Sequence, residues 1–499
     1  MIEDALRPPA ILRLKARWHG ELIGPEDPGY ETARRVWNGR IDKHPAFIAY
    51  CADVTEVAEA LQWARDWHLP FVVRSGGHSL CGHSVCEGGL VIDLSRMKGI
   101  CIDQERRTVW AQAGLTLGEF VRATQRWGLA TTTGTVAGTG LAGLTLGGGL
   151  GWFMGKYGLT IDNLRQAELV TAEGQVLRAS ATQEPELFWG VRGGGGNFGI
   201  VTAFELQLHS VGPVLSGKVI YPVAQAQEVL RGYQEYTGTL PDELTVSASF
   251  LSTPDGVPAL AITLCWCGAL EEGERLVQPL RRLGTPLAEL IRPMPYLKLL
   301  TRADAGAPGG RCYDAKTRTL KQLSDGALEV LAAYGTRRTS PFSCLLVQQI
   351  HGAASRVDPA QTAFALREEA YVVSIVAAWE AGTAERHMAW TDGCWRALEP
   401  FASRGVYVNF LGEEGEEQVR AAYRGNYQRL QALKQRYDPT NVFSHNQNIP
   451  PVGEGSYADQ PAHHPHPERE MSAPTFAPRK LSGENGTEPW DDPHSEEMQ

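Results

Sequence analysis

The chain has 499 residues, 43% hydrophobic and 21% charged, the balance of a globular protein long enough to bury a core without disulfides or metals. Its nine cysteines are odd in number, thinly spread and without a repeated CxxC pair, which argues against a secreted disulfide framework and a structural zinc site. Of the net charge of −10, ten acidic and three basic residues fall in 453–499, so residues 1–452 are nearly neutral and no nucleic-acid partner is expected.

In chain order, residues 1–40 read as an N-terminal arm with a helix. Ala46–Cys51 is an apolar run, and Asp53 with Glu56 gives a capping-box-like helix start. Val54, Val57, Ala58, Leu61 and Ala64 follow at helical spacing, and Pro70 ends that helix before the apolar strand Phe71-Val72-Val73. Leu90–Leu94 and Thr108–Ala113 read as further strands. Thr116 and Glu119 form a second capping box, ahead of Leu117, Phe120, Val121 and Thr124 on one helix face. From about Leu215 the texture changes. Alternating stretches such as Leu244–Phe250 and Tyr371–Trp379 predict a sheet with one helix-covered or solvated face, with helices at Ala384–Leu398 and Glu416–Tyr437. Beyond Val452 the chain holds seven Pro, one Leu and no Ile or Val, a composition that predicts disorder. His463-His464-Pro465-His466 within it reads as a solvated linker, not a metal site. No run of 18 apolar residues occurs, so no membrane partner is expected. Met1-Ile2-Glu3-Asp4 lacks a basic, then apolar leader, which makes the cytoplasm the expected location.

Three glycine-rich stretches carry the chemistry. Val72-Val73-Arg74-Ser75-Gly76-Gly77-His78-Ser79 runs from a buried strand into adjacent glycines, where successive N–H groups can form an anion nest. A tight structural turn with His78 on the surface is the alternative. Gly134–Gly149 follows, with small or apolar residues between its glycines, too apolar for a flexible linker. Gly138-Thr139-Gly140 opens onto no clear helix. The third stretch, Arg192–Gly199, ends in a strand at Ile200-Val201. None fits the phosphate-loop pattern GxxxxGK[ST].

As an ordered set, these and other motifs resemble the FAD-linked oxidases of the vanillyl-alcohol oxidase, or PCMH-type, superfamily, in its berberine-bridge-enzyme-like branch. The matching residues are Arg74–His78, Leu90–Ser95, Gly143–Gly149, Lys156–Leu159, Asp162-Asn163 and Glu186–Trp189. The set continues with Arg192-Gly193-Gly194, Asn197-Phe198-Gly199, Tyr437-Asp438-Pro439, Asn441 and Asn446–Ile449. The resemblance implies an α+β fold: a two-subdomain FAD-binding domain over 41–212 and a substrate domain over 213–405 with an antiparallel sheet covered by helices. It further implies a C-terminal segment over 406–452 that returns to the FAD domain, followed by the tail 453–499.

The resemblance also implies where FAD lies. Its diphosphate would rest on Arg74, Ser75, Gly76, Gly77, His78 and Ser79, with Gly82 and His83 beside them. The rest would run along Thr133, Gly134, Gly138, Thr139, Gly140, Gly143 and Leu144 and near Gly199 and Val201, with Asn446 and Asn448 offered from the C-terminal segment. His78 matches the histidine that this family bonds to the flavin 8α carbon. That bond needs a neutral imidazole nitrogen as nucleophile, and an unshifted pKa of about 6.5 leaves one at neutral pH. The position of a second, cysteinyl bond in many relatives is Ala130 here, so a single covalent bond is expected; Cys81 and Cys86 do not match it.

Tyr407, in Val406-Tyr407-Val408-Asn409-Phe410, matches a family tyrosine beside the flavin, either as catalytic base or as hydrogen-bonding group. Phe364-Ala365-Leu366-Arg367 has Ala-Leu where close relatives have Pro-His, which implies an altered pocket. Glu368 and Glu369 could compensate but read better as a solvated pair. Tyr313 and Lys316 lie in a segment that resembles the substrate side. The implied reaction takes a hydride from a small alcohol, hemiacetal or cyclic amine, with O2 as the second substrate and hydrogen peroxide as product. A dehydrogenase with another acceptor and a non-catalytic flavin-binding protein are the alternatives.

Overall fold

The computed structural model describes residues 18, 20–380, 382–412 and 415–452. The acidic tail with its histidine cluster, and residues 1–17, lie outside the described residues.

Near the N-terminus the period of the apolar pattern sets a small sheet. Phe47–Tyr50, Leu90–Asp93 and Phe71–Arg74 pair in parallel, and Glu21–Ile23 adds an antiparallel edge. Both faces of the parallel strands are apolar, as a covered parallel sheet requires. Ile48, Val72 and Val91 pack with Tyr30 and Val36, while Ala49, Phe71 and Ile92 point into the main core. The connecting helix, Val54–Asp66, starts as its sequence dictates: the Asp53 carboxylate accepts from the Thr55 and Glu56 N–H groups. The second capping box also forms. Glu119 N–H donates to Thr116 Oγ1 and the Glu119 carboxylate accepts from Thr116 N–H, opening the helix Leu117–Gln125.

A five-stranded antiparallel sheet follows, in the order Ile100–Asp103, Thr108–Gln112, Ile200–Gln207, Leu164–Val170, Val176–Ser180. The large antiparallel sheet runs Ala288–Glu289, Val214–Pro222, Pro258–Trp266, Leu244–Ser252, Cys344–Ile350, Ala370–Trp379, Cys312–Leu320, with Arg292–Met294 also on Val214–Pro222. On one face Val246, Phe250, Val347 and Ile375 pack against the helices Ala226–Thr237, Asp325–Thr336 and Ala384–Ala397. On the other, Ile350 and Val372 join Leu150, Met154, Leu159 and Tyr407. The α+β architecture expected from the sequence is the one found.

Two local expectations are corrected. The segment Glu416–Tyr437 is two helices, Glu416–Tyr423 and Tyr427–Tyr437. Between them Arg424 takes a φ of +48° before Gly425, and the Asn426 amide donates to the carbonyls of Pro359 and Thr362. Gly138-Thr139-Gly140 does open onto a helix, the short Leu141–Leu146. No polar N-cap side chain marks it, because Gly140 occupies that position.

Candidate functional site

A cavity of about 960 Å³ opens at the carboxyl ends of the three parallel strands, where Tyr50, Arg74 and Asp93 are the last strand residues. Ligands favour this end of parallel strands, and the size lies within the usual range of roughly 300–1,000 Å³. Ser75, Gly76, Gly77 and His78 continue the wall, and Gly138 and Asp304 face them.

The chain makes this wall from main chain. Gly76 and Gly140 approach so closely that a Cβ on Gly76 would lie 2.3 Å from Gly140 N, and one on Gly140 would lie 2.4 Å from Gly76 N. Gly77 takes a φ of +66°. Ser75 Oγ donates to Ala113 O at 2.6 Å and ties the loop to the neighbouring sheet. Among the described residues, the N–H groups of Gly76, Gly77 and His78 have no protein acceptor. Arg74 is buried, bonded through Nε to the Asp93 carboxylate at 2.5 Å, and its Nη1 has no partner.

His78 is neutral by environment. Burial lowers its pKa to about 4. Its ring stacks on Trp37 at 4.6 Å, and Trp37 stacks on Tyr313 at 3.9 Å. Gly138 N–H donates to the Asp304 carboxylate at 2.9 Å.

The other expected positions divide. Ser79 Oγ accepts from His83 N–H and closes the turn, and Gly82, at φ +72°, lies against Ile41; neither they nor His83 line the cavity. Thr133 Oγ1 pairs with Tyr296 OH at 3.1 Å, and Gly134 packs on Leu117 and Leu144. Thr139 O accepts from Leu117 N–H. Gly143 is exposed beside open space. The carbonyls of Gly143 and Leu144 accept from the Asn409 amide at 3.3 and 3.2 Å. Gly199 and Val201 are buried where the strand Ile200–Gln207 meets Leu164–Val170.

Tyr407 is buried at 2% exposure, and its oxygen accepts from Gly149 N–H at 3.2 Å and from the Asn409 amide at 2.9 Å. Burial raises its pKa, against the smaller lowering effect of those donors. Phe364 and Phe410 meet its ring edge-on. Glu368 and Glu369 are exposed, and Glu368 pairs with Arg424 at 2.7 Å. Arg367 instead forks onto Asp162 at 2.7 and 2.8 Å, fastening the Phe364 segment to the turn before the strand Leu164–Val170. Lys316 pairs with Asp392 on the helix-covered face, away from the Tyr313 side.

The C-terminal segment returns to the third glycine loop. Lys434, fully buried, donates to Asn197 O at 2.9 Å, Phe443 O at 3.0 Å and the Asp438 carboxylate at 2.6 Å. Ile449 N–H donates to Asn197 Oδ1, and the Asn446 amide donates to Gly196 O. Oδ1 of Asn446 and Oδ1 of Asn448 are buried without a partner. At the other position of interest, Ala130 is buried in the two-residue strand Leu129–Ala130, and Cys81 Sγ lies 3.2 Å from Leu411 O.

Sequence reasoning did not pick out Trp37, Asp304, Asn409 or Lys434. A large aromatic in the polar run Arg34-Arg35-Val36-Trp37-Asn38-Gly39-Arg40 is a usable signal for the first. Asp304 carries none.

A glycine cradle, free main-chain donors, an orphaned guanidinium nitrogen and orphaned amide oxygens fit a long, polar, anionic dinucleotide. The family described as FAD binding domain matches residues 45–180, and the family described as berberine and berberine like matches residues 406–450. The chain belongs to the FAD-linked oxidoreductases of the vanillyl-alcohol oxidase, PCMH-type superfamily, in the berberine-bridge-enzyme-like branch. It is 32% identical over 448 residues to an uncharacterised FAD-linked oxidoreductase, YgaK, of Bacillus subtilis, covering 88% of this chain and 98% of that protein. It is also 32% identical over 448 residues to (R)-6-hydroxynicotine oxidase of Paenarthrobacter nicotinovorans, covering 87% and 97%. The crystal structure of 6-hydroxy-D-nicotine oxidase from Arthrobacter nicotinovorans superposes with a TM-score of 0.80 at 30% identity, covering 86% of this chain and 98% of that one. The protein is an FAD-dependent oxidoreductase. Among the described residues no helix is long and apolar enough to cross a membrane.

Proposed function

We propose that the protein is an oxidase that holds FAD through one covalent bond at His78 and oxidises a small organic alcohol, hemiacetal or cyclic amine. The observation that carries this reading is His78 itself: a neutral imidazole, with no hydrogen bond to its ring among the described residues, at the wall of a cavity rich in unpaired main-chain donors. Held at this wall, FAD would supply the acceptor for a hydride equivalent from the donor and a route for two electrons to O2, with hydrogen peroxide as the product.

The chain's own groups bind and orient. Gly76, Gly77 and His78 N–H groups and Arg74 Nη1 take the diphosphate, and Asn446 and Asn448 offer their free oxygens to N–H donors of the cofactor. Tyr407 stays protonated at neutral pH because burial raises its pKa. With two donors already on its oxygen, it has its own proton left to donate. Tyr407 is therefore a proton-holding contact of flavin or substrate, a reading its environment favours over a base.

The sheet supplies the substrate floor. Cross-strand pairing sets Ser247 beside Gln348 and Gln348 beside Val372, and sets Thr317 beside Ser374, on the face where Val372 meets Tyr407. Hydroxyl and amide groups there suit a neutral, hydrogen-bonding donor. The (R)-6-hydroxynicotine oxidase likeness supports a cyclic amine as one member of that class.

The test is the yellow colour of acid-precipitated protein and of the His78→Ala variant. A coloured wild-type pellet, a colourless His78→Ala pellet, and peroxide formed one-for-one with O2 consumed are expected. A colourless wild-type pellet refutes the covalent bond. Anaerobic bleaching by a donor followed by slow air reoxidation would favour a dehydrogenase.

A further inference from the structure

His78 has no hydrogen-bonding partner on its ring among the described residues, yet a nucleophile must be aimed. What holds it is a stack. Trp37 lies 4.6 Å from the imidazole at an interplanar angle of 21°, and Tyr313 lies 3.9 Å from Trp37 at 16°.

Trp37 is itself fixed at every polar atom. Its N–H donates to Gly77 O at 3.0 Å, inside the glycine loop. Its carbonyl accepts from Gly310 N–H at 2.9 Å, and its indole N–H donates to Ala307 O at 3.0 Å. Tyr313 is equally held. Its OH donates to Pro308 O at 2.7 Å, and its main chain exchanges two bonds with the Asn38 amide. Residues 307–313 lie about 270 positions from Trp37, in the segment read from the sequence as substrate domain, so the aromatic support of His78 exists only when that segment is docked on Trp37-Asn38-Gly39.

We propose that Trp37, backed by Tyr313, is the positioning residue that aims His78 at the flavin 8α carbon, so that covalent attachment waits for docking of the substrate-domain segment. The inference rests on the covalent reading of His78. In the attachment one methyl C–H bond and one imidazole N–H bond break and one C–N bond forms. The two electrons and two protons released reduce O2 to hydrogen peroxide. A stacked ring keeps both nitrogen edges clear, whereas a hydrogen-bonded support would occupy one of them. Burial lowers the pKa of the imidazole to about 4 and keeps it neutral at physiological pH.

The experiment uses the full chain made flavin-free under riboflavin limitation, with FAD added in air. Acid-stable flavin is followed in time, and reversible FAD affinity is measured separately. Trp37→Leu is expected to slow attachment by about tenfold or more, the scale on which a misaimed reactant loses rate, with FAD affinity within about threefold of wild type. Trp37→Phe, which keeps a stacking face, is expected to recover most of the rate. A Trp37→Leu rate equal to wild type overturns the proposal, as does a rate that falls only in step with affinity. Should Trp37→Leu lose its far-ultraviolet circular dichroism, Tyr313→Leu takes its place, with about threefold slowing expected and an unchanged rate overturning. If wild type itself never acquires acid-stable flavin, the His78 reading fails and takes this inference with it. A wild type that attaches flavin beside an unimpaired Trp37→Leu sinks the inference alone.

Discussion

Replacing Lys434 with Met should unfasten the C-terminal segment from the third glycine loop. The substitution removes three bonds from Nζ, at 2.6 to 3.0 Å, and leaves the Asp438 carboxylate buried without its cation. Asp438 would keep the Val442 and Phe443 N–H donors, at 2.7 and 2.9 Å, which soften the loss. Removing one partner of a buried ion pair costs about 3–5 kcal/mol. Unfolding entropy near 2.1 cal/mol/K per residue gives ~0.9 kcal/mol/K for the roughly 430 described residues, so Tm should fall by ~3–6 °C. Differential scanning calorimetry of flavin-bound protein reads this directly. Hydrogen exchange should show faster opening of residues 427–449, where Asn446 and Asn448 lie. Lys434→Met with Asp438→Asn should recover part of the loss, because the stranded charge is gone. A Lys434→Met protein with Tm within a degree of wild type would refute the view that this pair anchors the segment.

Gly140→Ala puts a methyl 2.4 Å from Gly76 N and 2.7 Å from Ser75 Oγ. Forcing such a contact costs about 1–3 kcal/mol, so flavin content per chain, read from visible absorbance, should drop about tenfold; full occupancy would contradict the cradle. Tyr407→Phe strands the Gly149 and Asn409 N–H donors and should lower kcat about tenfold while leaving the shape of the pH profile unchanged. Disappearance of a limb near neutrality in that variant would instead make Tyr407 the base. Burial lowers His209 and His351 from 6.5 to about 4. A base with a depressed folded pKa binds more protons unfolded, so stability should hold above pH 6.5 and fall as pH drops from 6.5 to 4. Thermal melts across that range check this, and His209→Gln with His351→Gln should flatten the slope; a Tm unchanged down to pH 4.5 goes against it.

The helix starts at Asp53 and Thr116 were legible because side chain and satisfied N–H lie two or three residues apart. The parallel strands were legible because their apolar runs are continuous. The glycine loops announced close main-chain approach without saying to what: Gly76 meets Gly140, 64 positions on. The support of His78 was illegible for the same reason, only more so. Trp37 meets Ala307 across 270 positions and Gly138 meets Asp304 across 166. Nothing local distinguishes Asp304 from a solvated carboxylate. The break at Arg424 was missed because Asn426 gains acceptors more than 60 positions away, a tertiary gain that propensity does not register.

The charges around the cavity imply one last behaviour. Arg74 is paired with Asp93, Arg96 with Glu21, and Arg35 with Glu31 and Asp42, while Asp304 is held by an amide. Among the described residues lining the cavity every cation is engaged by a carboxylate, Arg74 keeping only its Nη1 edge free, and residues 1–452 are nearly neutral overall. On the proposed reading the anion is held by main-chain dipoles and one guanidinium edge at contact distance, and the long-range field contributes little. Exposed charges lose their pull beyond the Debye length, about 10 Å at 0.1 M salt and 3 Å at 1 M, whereas a buried N–H contact does not. Reversible FAD binding to flavin-free His78→Ala protein should thus change by no more than about twofold between low and high salt. An affinity that falls steeply with salt would mean that basic side chains, not the glycine turns, do the holding.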